Sequence, residues 1–134
     1  MRTFSWPVRV YYEDTDAGGV IYHTNYIKYF ERARTEWLRS LGFSQARLAQ
    51  EEGVLFTVVT LSTDFKRPGR LDDALVVRST AALAGAASVQ FSQEIWRDGE
   101  SPPLLASGTV KVACLDATAF RPRRLPDSLR KELA

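Results

Sequence analysis

The chain has one histidine, His23, and one cysteine, Cys114, and this excludes most hydrolytic arrangements at the outset. A Ser-His-Asp or Cys-His arrangement would have to pass through His23. No Gly-x-Ser-x-Gly elbow occurs, and Cys114 falls inside an alternating strand pattern, where a core thiol is expected rather than a nucleophile. One histidine and one cysteine, with no His-Glu-x-x-His, supply no metal-ligand set. Neither a P-loop nor a Gly-x-Gly-x-x-Gly run is present, so no metal and no cofactor is expected. What remains is the stretch from Tyr11 to Asn25, in which Glu13, Asp14 and Asp16 are followed by Gly18 and Gly19 and then by the start of a helical pattern.

That order has chemical content. Glycines let the backbone come close to a substrate. The first N–H groups of a helix have no internal partner and carry partial positive charge. A carboxylate at Asp16 facing such donors across a small gap is what acyl transfer needs, a base or nucleophile on one side and oxyanion donors on the other. The plainer alternative is that Glu13, Asp14 and Asp16 only build a turn.

The elements that must position this segment can be read from periodicity. Pro7 to Tyr12, rich in Val and Tyr, suits a first strand. From Asn25 to Leu41, Tyr26, Phe30, Ala33, Trp37 and Leu41 recur at helical spacing, widened by Ile27 and Leu38. Thr24 or Asn25 can cap the start of this helix, and Gly42 can end it. A shorter helix is expected over Gln45–Glu52, between Ser44 and Gly53. Val54 to Leu115 then reads as four strands, with Gly85 and Asp98-Gly99 marking hairpin turns, and a last helical turn is expected from Asp127. One strand, two helices and a run of antiparallel strands define an α+β domain, with helices on one face of an antiparallel sheet of about five strands. Edge strands left bare by this arrangement are commonly covered by dimerisation.

Composition narrows the class further. At 134 residues, 45% hydrophobic and 25% charged, the chain suits one globular domain over residues 1–134. A formal charge of +2 is too small a surplus for a dedicated nucleic-acid binder. Met1 to Val10 has no apolar signal core, no stretch reaches the ~20 apolar residues of a membrane span, and a lone cysteine suits a reducing compartment. A cytoplasmic location is the expectation.

The run Arg9-Val10, then Thr15-Asp16-Ala17-Gly18-Gly19-Val20-Ile21-Tyr22-His23 on to Tyr26, resembles the active-site signature of the 4-hydroxybenzoyl-CoA thioesterase family. Within that family, the longer run from Trp6 to Gly19 and Glu31-Arg32-Ala33-Arg34-Thr35-Glu36 resemble the bacterial acyl-CoA thioesterases associated with the Tol–Pal cell-envelope system. The resemblance implies a hotdog fold and a catalytic carboxylate at Asp16, acting as nucleophile or as general base. It implies an oxyanion site at the backbone N–H of His23, and active sites shared between subunits of a dimer, often paired into a tetramer. The histidine at position 23, where the 4-hydroxybenzoyl enzyme has tyrosine, favours an aliphatic acyl-CoA, with an acyl carrier protein as a second candidate carrier. Gly19 and Tyr22 are expected beside the substrate. Lys66 and Arg67, with Arg70, or else Arg121, Arg123 and Arg124, are the basic sets placed to meet coenzyme A phosphates. The imidazole of His23 either assists or is structural. A hotdog hydratase would show an Asp-x-Asn-Pro-x-His run, which is missing. A non-catalytic acyl-thioester or acyl-carrier-protein binding module would keep the fold without needing Asp16.

Overall fold

The computed structural model describes residues 3–98 and 103–133. In chain order the elements are β1 (Thr3–Arg9), a 3₁₀ turn (Tyr12–Asp14), α1 (His23–Ser40), α2 (Gln45–Arg47, continued as a wider π turn over Leu48–Glu52), β2 (Val54–Phe65), β3 (Ala74–Leu83), β4 (Ser88–Arg97), β5 (Leu104–Asp116) and α3 (Asp127–Leu133). The five strands form one sheet in the order β1-β3-β4-β5-β2, and every pairing is antiparallel. This is the expected α+β architecture of a long helix wrapped by a five-stranded sheet.

The wrapping follows from the strand pattern. Along β4, Val89, Phe91, Gln93 and Ile95 are buried against α1, while Gln90, Ser92 and Glu94 face outward. Two apolar clusters fill the concave face. Tyr26, Tyr29, Phe30 and Ala33 of α1 pack with Val10, Ile21, Leu75, Val77 and Ile95. Trp37 packs with Leu48, Val54, Phe91, Val110, Cys114, Leu125 and Leu129. Gly108 lies where β5 passes closest to the helix: a Cβ there would sit 3.1 Å from Phe30 and 3.0 Å from the Ser62 carbonyl. Cys114 is fully buried, and burial pushes its thiol pKa up, as suits a core residue.

The expected bounds of the long helix, of Gln45–Glu52, of the strand run from Val54 to Leu115 and the start of the last helix at Asp127 hold to within two residues, and two expectations are corrected. The first strand spans Thr3–Arg9 rather than Pro7–Tyr12, because Phe4, Trp6 and Val8 alternate inward against β3. Tyr11 and Tyr12 are exposed and leave the sheet, where the Asp14 carboxylate accepts the Tyr11 N–H at 2.8 Å. The long helix starts at His23, with Tyr22 in the cap position and no capping side chain, so neither Thr24 nor Asn25 caps it. Gly42, at φ 92°, follows its last residues as expected. Ser44 does cap α2, accepting the Arg47 N–H at 3.1 Å, and Gly53 ends it at φ 67°. Gly99, in the expected turn after Asp98, lies outside the described residues.

Candidate active site

The segment between β1 and α1 folds back on itself as a short irregular hairpin. The Tyr22 N–H donates to the Asp14 carbonyl at 2.9 Å, Thr15 bridges Ile21, and the Asp16 N–H donates to Val20 at 2.9 Å. At the tip, the Gly19 N–H donates to the Asp16 carbonyl at 3.0 Å, with Gly19 at φ 79°, a left-handed conformation that favours glycine. Asp16 is solvent-exposed. Its Oδ1 accepts the Gly18 N–H at 2.8 Å, and its Oδ2 accepts no hydrogen bond from any described residue. One carboxylate oxygen is thus oriented by the loop and the other is open.

Asp14, two residues earlier, has the opposite environment. It is buried, and its two oxygens accept the Tyr11 N–H and the Asn25 side-chain amide, each at 2.8 Å. Asn25 is itself buried on the first turn of α1, so this pair ties the hairpin to the start of the helix. Buried polar groups joined in this way fix one geometry, because leaving either alone costs about 1–3 kcal/mol. Sequence reading gave Asn25 a capping or packing role and Asp14 a place in the turn. The pairing spans eleven positions, and no local pattern encodes it.

A second strap comes from the chain after β2. The Ile21 N–H donates to the Gly69 carbonyl at 2.9 Å, Val20 bridges Arg70, and the Gly69 N–H donates to the Tyr26 hydroxyl at 3.0 Å. A Cβ on Gly69 would sit 2.4 Å from the end of the Ile21 side chain, which would have to move to admit it. This strap places Lys66 and Arg67 on the loop that clasps the hairpin. Their N–H groups both donate to Leu105, at 2.8 and 3.1 Å, while their side chains are exposed and form no ion pair among the described residues. Arg123 and Arg124, by contrast, pair with Asp116 at 3.5 Å and Asp127 at 3.8 Å, near the Gly53 end of β2.

The helix N-terminus completes the arrangement. No carbonyl of a described residue accepts the N–H groups of His23 or Thr24. The His23 ring is exposed and rests in an aromatic group, 4.7 Å from Tyr22 and 6.1 Å from Phe65, with Tyr26 5.5 Å from Phe65. Burial raises the Tyr26 hydroxyl above its ordinary pKa, with the Gly69 N–H opposing, so this phenol stays protonated. Among the described residues no group of three His, Cys, Asp or Glu side chains is placed to hold a metal ion. No helix among them is long and apolar enough to cross a membrane.

The short hairpin thus joins an open carboxylate to a helix start with unpartnered N–H groups, and comparison with known proteins gives the family. Residues 18–103 match the thioesterase superfamily. The chain belongs to that family. It is 45% identical to the acyl-CoA thioesterase YbgC of Haemophilus influenzae over 127 residues, which is 95% of this chain and 91% of the relative. It is 34% identical to the YbgC acyl-CoA thioesterase of Helicobacter pylori strain 26695, covering 93% and 95% of the two chains. Among solved structures, the 1,4-dihydroxy-2-naphthoyl-CoA thioesterase of Synechocystis superposes with a TM-score of 0.92 at 27% identity, over 98% of this chain and 96% of the other. A probable thioesterase from Bartonella henselae gives 0.86 at 35% identity, over 93% and 100%. The fold is the hotdog fold of these thioesterases.

Proposed function

We propose that this protein hydrolyses aliphatic acyl-CoA thioesters to the free acid and coenzyme A, with Asp16 as the reacting carboxylate. The observation that carries the proposal is the short hairpin that joins Asp16, with its open Oδ2, to a helix N-terminus whose His23 and Thr24 N–H groups are free. The thioester carbonyl oxygen takes the His23 N–H, which stabilises the negative charge that develops there. The Asp16 carboxylate then either attacks the carbonyl carbon, expelling the thiolate and leaving a mixed anhydride for water to open, or draws a proton from an attacking water. Gly19 leaves room at the tip of the hairpin, and Tyr22 and the His23 ring flank the approach. Lys66 and Arg67, free of ion pairs, suit the coenzyme A phosphates better than Arg123 and Arg124, which already have carboxylate partners. An acyl carrier protein is the second carrier compatible with this site.

The working unit in this reading is a dimer joined through β2. Both β1 and β2 are sheet edges, but β1 has seven residues and includes Pro7, whereas β2 has twelve and no proline. Val58, Val59, Leu61 and Phe65 on β2 are each about half exposed. A second copy pairing antiparallel along β2 would cover them, and pairs of dimers would give a tetramer. Light scattering should report a dimer or tetramer at micromolar concentration.

The test is thiol release from a panel of aliphatic and aromatic acyl-CoAs. Asp16→Asn keeps the shape and removes the charge, so kcat should fall at least ~10²-fold with the fold intact by circular dichroism. His23→Ala retains the backbone N–H and should lose less. A folded Asp16→Asn protein with near wild-type kcat would remove Asp16 from the mechanism and leave a module that binds acyl thioesters without cleaving them.

A further inference from the structure

Beyond the hairpin, α1 borders a cavity of about 140 Å³. Its walls are mostly apolar: Leu38 of α1, Phe56 and Val58 of β2, Phe91 of β4, and Leu129 and Leu133 of α3. For scale, a cavity of about 150 Å³ in another protein core accommodates one benzene ring, so there is room here for roughly six carbon atoms. Of the polar side chains in the wall, Glu31, Arg34, Thr35, Gln45 and Thr57, only Arg34 is a cation. Arg34 enters the cavity half-buried, with its guanidinium 5.9 Å above the centre of the Phe91 ring. A single hydrogen bond orients it, from Nη1 to Oε1 of Gln93 at 3.0 Å.

Gln93 is fully committed to that task. It is buried, and its Nε2 donates to the Phe30 carbonyl at 3.0 Å and to the Ser79 hydroxyl at 2.9 Å. Arg34 has no carboxylate within ion-pair distance among the described residues. Burial lowers its pKa from the usual arginine value, and the charge of Glu31 on the cavity rim opposes this. Charged groups withdrawn from water are ordinarily paired, and this half-buried donor fork, bonded only to the neutral Gln93 and not in ion-pair contact with Glu31, has donors left for an incoming acceptor.

The position of β2 says which active site the cavity serves. Phe65, at one end of β2, lies against the His23 ring, whereas Phe56 and Val58, toward the other end, line the cavity. Within one chain, Arg34 is eleven residues from His23, or ~16 Å along the helix axis. When two copies pair antiparallel through the middle of β2, the Phe65 end of one strand meets the Phe56 end of the other. The catalytic hairpin of one copy then opens onto the cavity of its partner.

We propose that this cavity receives the acyl group of a thioester held at the other subunit's Asp16, and that Arg34 selects acyl groups bearing an acceptor oxygen, either a hydroxyl or a carboxylate. The inference rests on the thioesterase reading and on the β2 dimer. Arg34 is a specificity residue here, and its removal changes a ratio between substrates.

The experiment compares hexanoyl-CoA with six-carbon acyl-CoAs carrying a hydroxyl or a terminal carboxylate. Wild type should favour at least one oxygen-bearing substrate. Arg34→Leu should cut that preference, as a ratio of kcat/KM values, by ~10-fold or more, because a group built to donate is the part of a pocket that discriminates most. Arg34→Lys, which keeps the charge and Gln93's partner, should lose part of it and guards against a misfolded leucine variant. A mixed dimer of Asp16→Asn and Arg34→Leu chains, isolated through two different tags, has one site with both residues intact only if the cavity serves the partner. It should recover the wild-type preference. Equal losses on all three substrates in Arg34→Leu, or a mixed dimer that keeps the Arg34→Leu preference, would overturn the inference. Failure of the underlying reading is separate: Asp16→Asn homodimers would then still hydrolyse every substrate.

Discussion

The two halves of α1 meet the sheet on different terms. From Asn25 to Ala33 the buried face is mixed, with Asn25 and the hydroxyls of Tyr26 and Tyr29 set among Phe30 and Ala33. From Arg34 onward the only buried side chain of α1 is Trp37, packed with Phe91 and with aliphatic residues of β4, β5 and α3, while Arg34, Thr35 and Leu38 line the cavity. In the first half, polar groups tie a loop to the helix and fix the position of Asp16. In the second half the packing is apolar and incompletely filled, which suits a region that accommodates something rather than one that aims something. Stability and catalytic geometry should therefore be separable along one helix.

The largest effect on stability is expected in the second half. Trp37→Ala removes a side chain that meets Phe91 edge-on, with ring centres 5.5 Å apart, and should cost about 3–5 kcal/mol. Denaturant unfolding would read this loss. Measured where the variant is still folded, its kcat should stay close to wild type, since no polar tie to the hairpin is touched. A collapse in kcat without unfolding would break the comparison.

Asp14→Ala is the counterpart in the first half. It strips the partner from the Tyr11 N–H and from the Asn25 amide, so stability should fall by about 1–3 kcal/mol for each group left buried and unpaired. The distinguishing readout is kcat. With the Asp16 hairpin no longer tied to the helix start, turnover should drop ~10-fold or more, because small displacements of a reacting group are expensive. Asn25→Ala should repeat the kcat loss more mildly, since Asp14 keeps its bond to Tyr11. If both variants lose only stability, Asp14 is a folding residue and no more.

How far the sequence reveals these two halves differs in the same way. Strands from Val54 onward were legible because the first is β-branched and aromatic, β4 and β5 alternate, and glycine or proline breaks separate them, and the stripe Tyr26, Phe30, Ala33, Trp37 showed the buried face of α1. Tyr29 was not on that stripe, yet it is wholly buried, because the sheet curves around the helix and covers more than one row. β1 was misplaced because Tyr11 and Tyr12 have high strand propensity but nothing to pair with once β3 ends at Ala74. Asp16 stood out through its glycines and the helix that follows. Asp14 did not, because its role depends on a contact made only in the fold, and Arg34 was lost among the alternating charges of Glu31, Arg32, Glu36 and Arg39.

The smallest effect separates the two tyrosines of the first half. The Tyr26 hydroxyl accepts the Gly69 N–H at 3.0 Å, so Tyr26→Phe leaves a buried backbone donor without a partner and should cost ~1 kcal/mol. The Tyr29 hydroxyl is buried beside the Asp14 carboxylate yet makes no hydrogen bond of acceptable geometry, since the Asp14 oxygens are directed at Tyr11 and Asn25. Tyr29→Phe removes an unsatisfied polar atom and should be neutral or slightly stabilising at pH 7. Burial, and then the nearness of the Asp14 carboxylate, raise the Tyr29 pKa, so the folded protein holds that proton more tightly than the unfolded chain does. Its contribution is complete below the ordinary tyrosine value of about 10 and is lost as the pH rises above it. Tyr29→Phe should therefore lose less stability than wild type between pH 9 and pH 11, while matching it at pH 7. Thermal unfolding of both tyrosine variants across that range is the measurement. If Tyr29→Phe cost as much as Tyr26→Phe at neutral pH, the Tyr29 hydroxyl would be bonded to Asp14 after all, and the polar network of the first half would have three members rather than two.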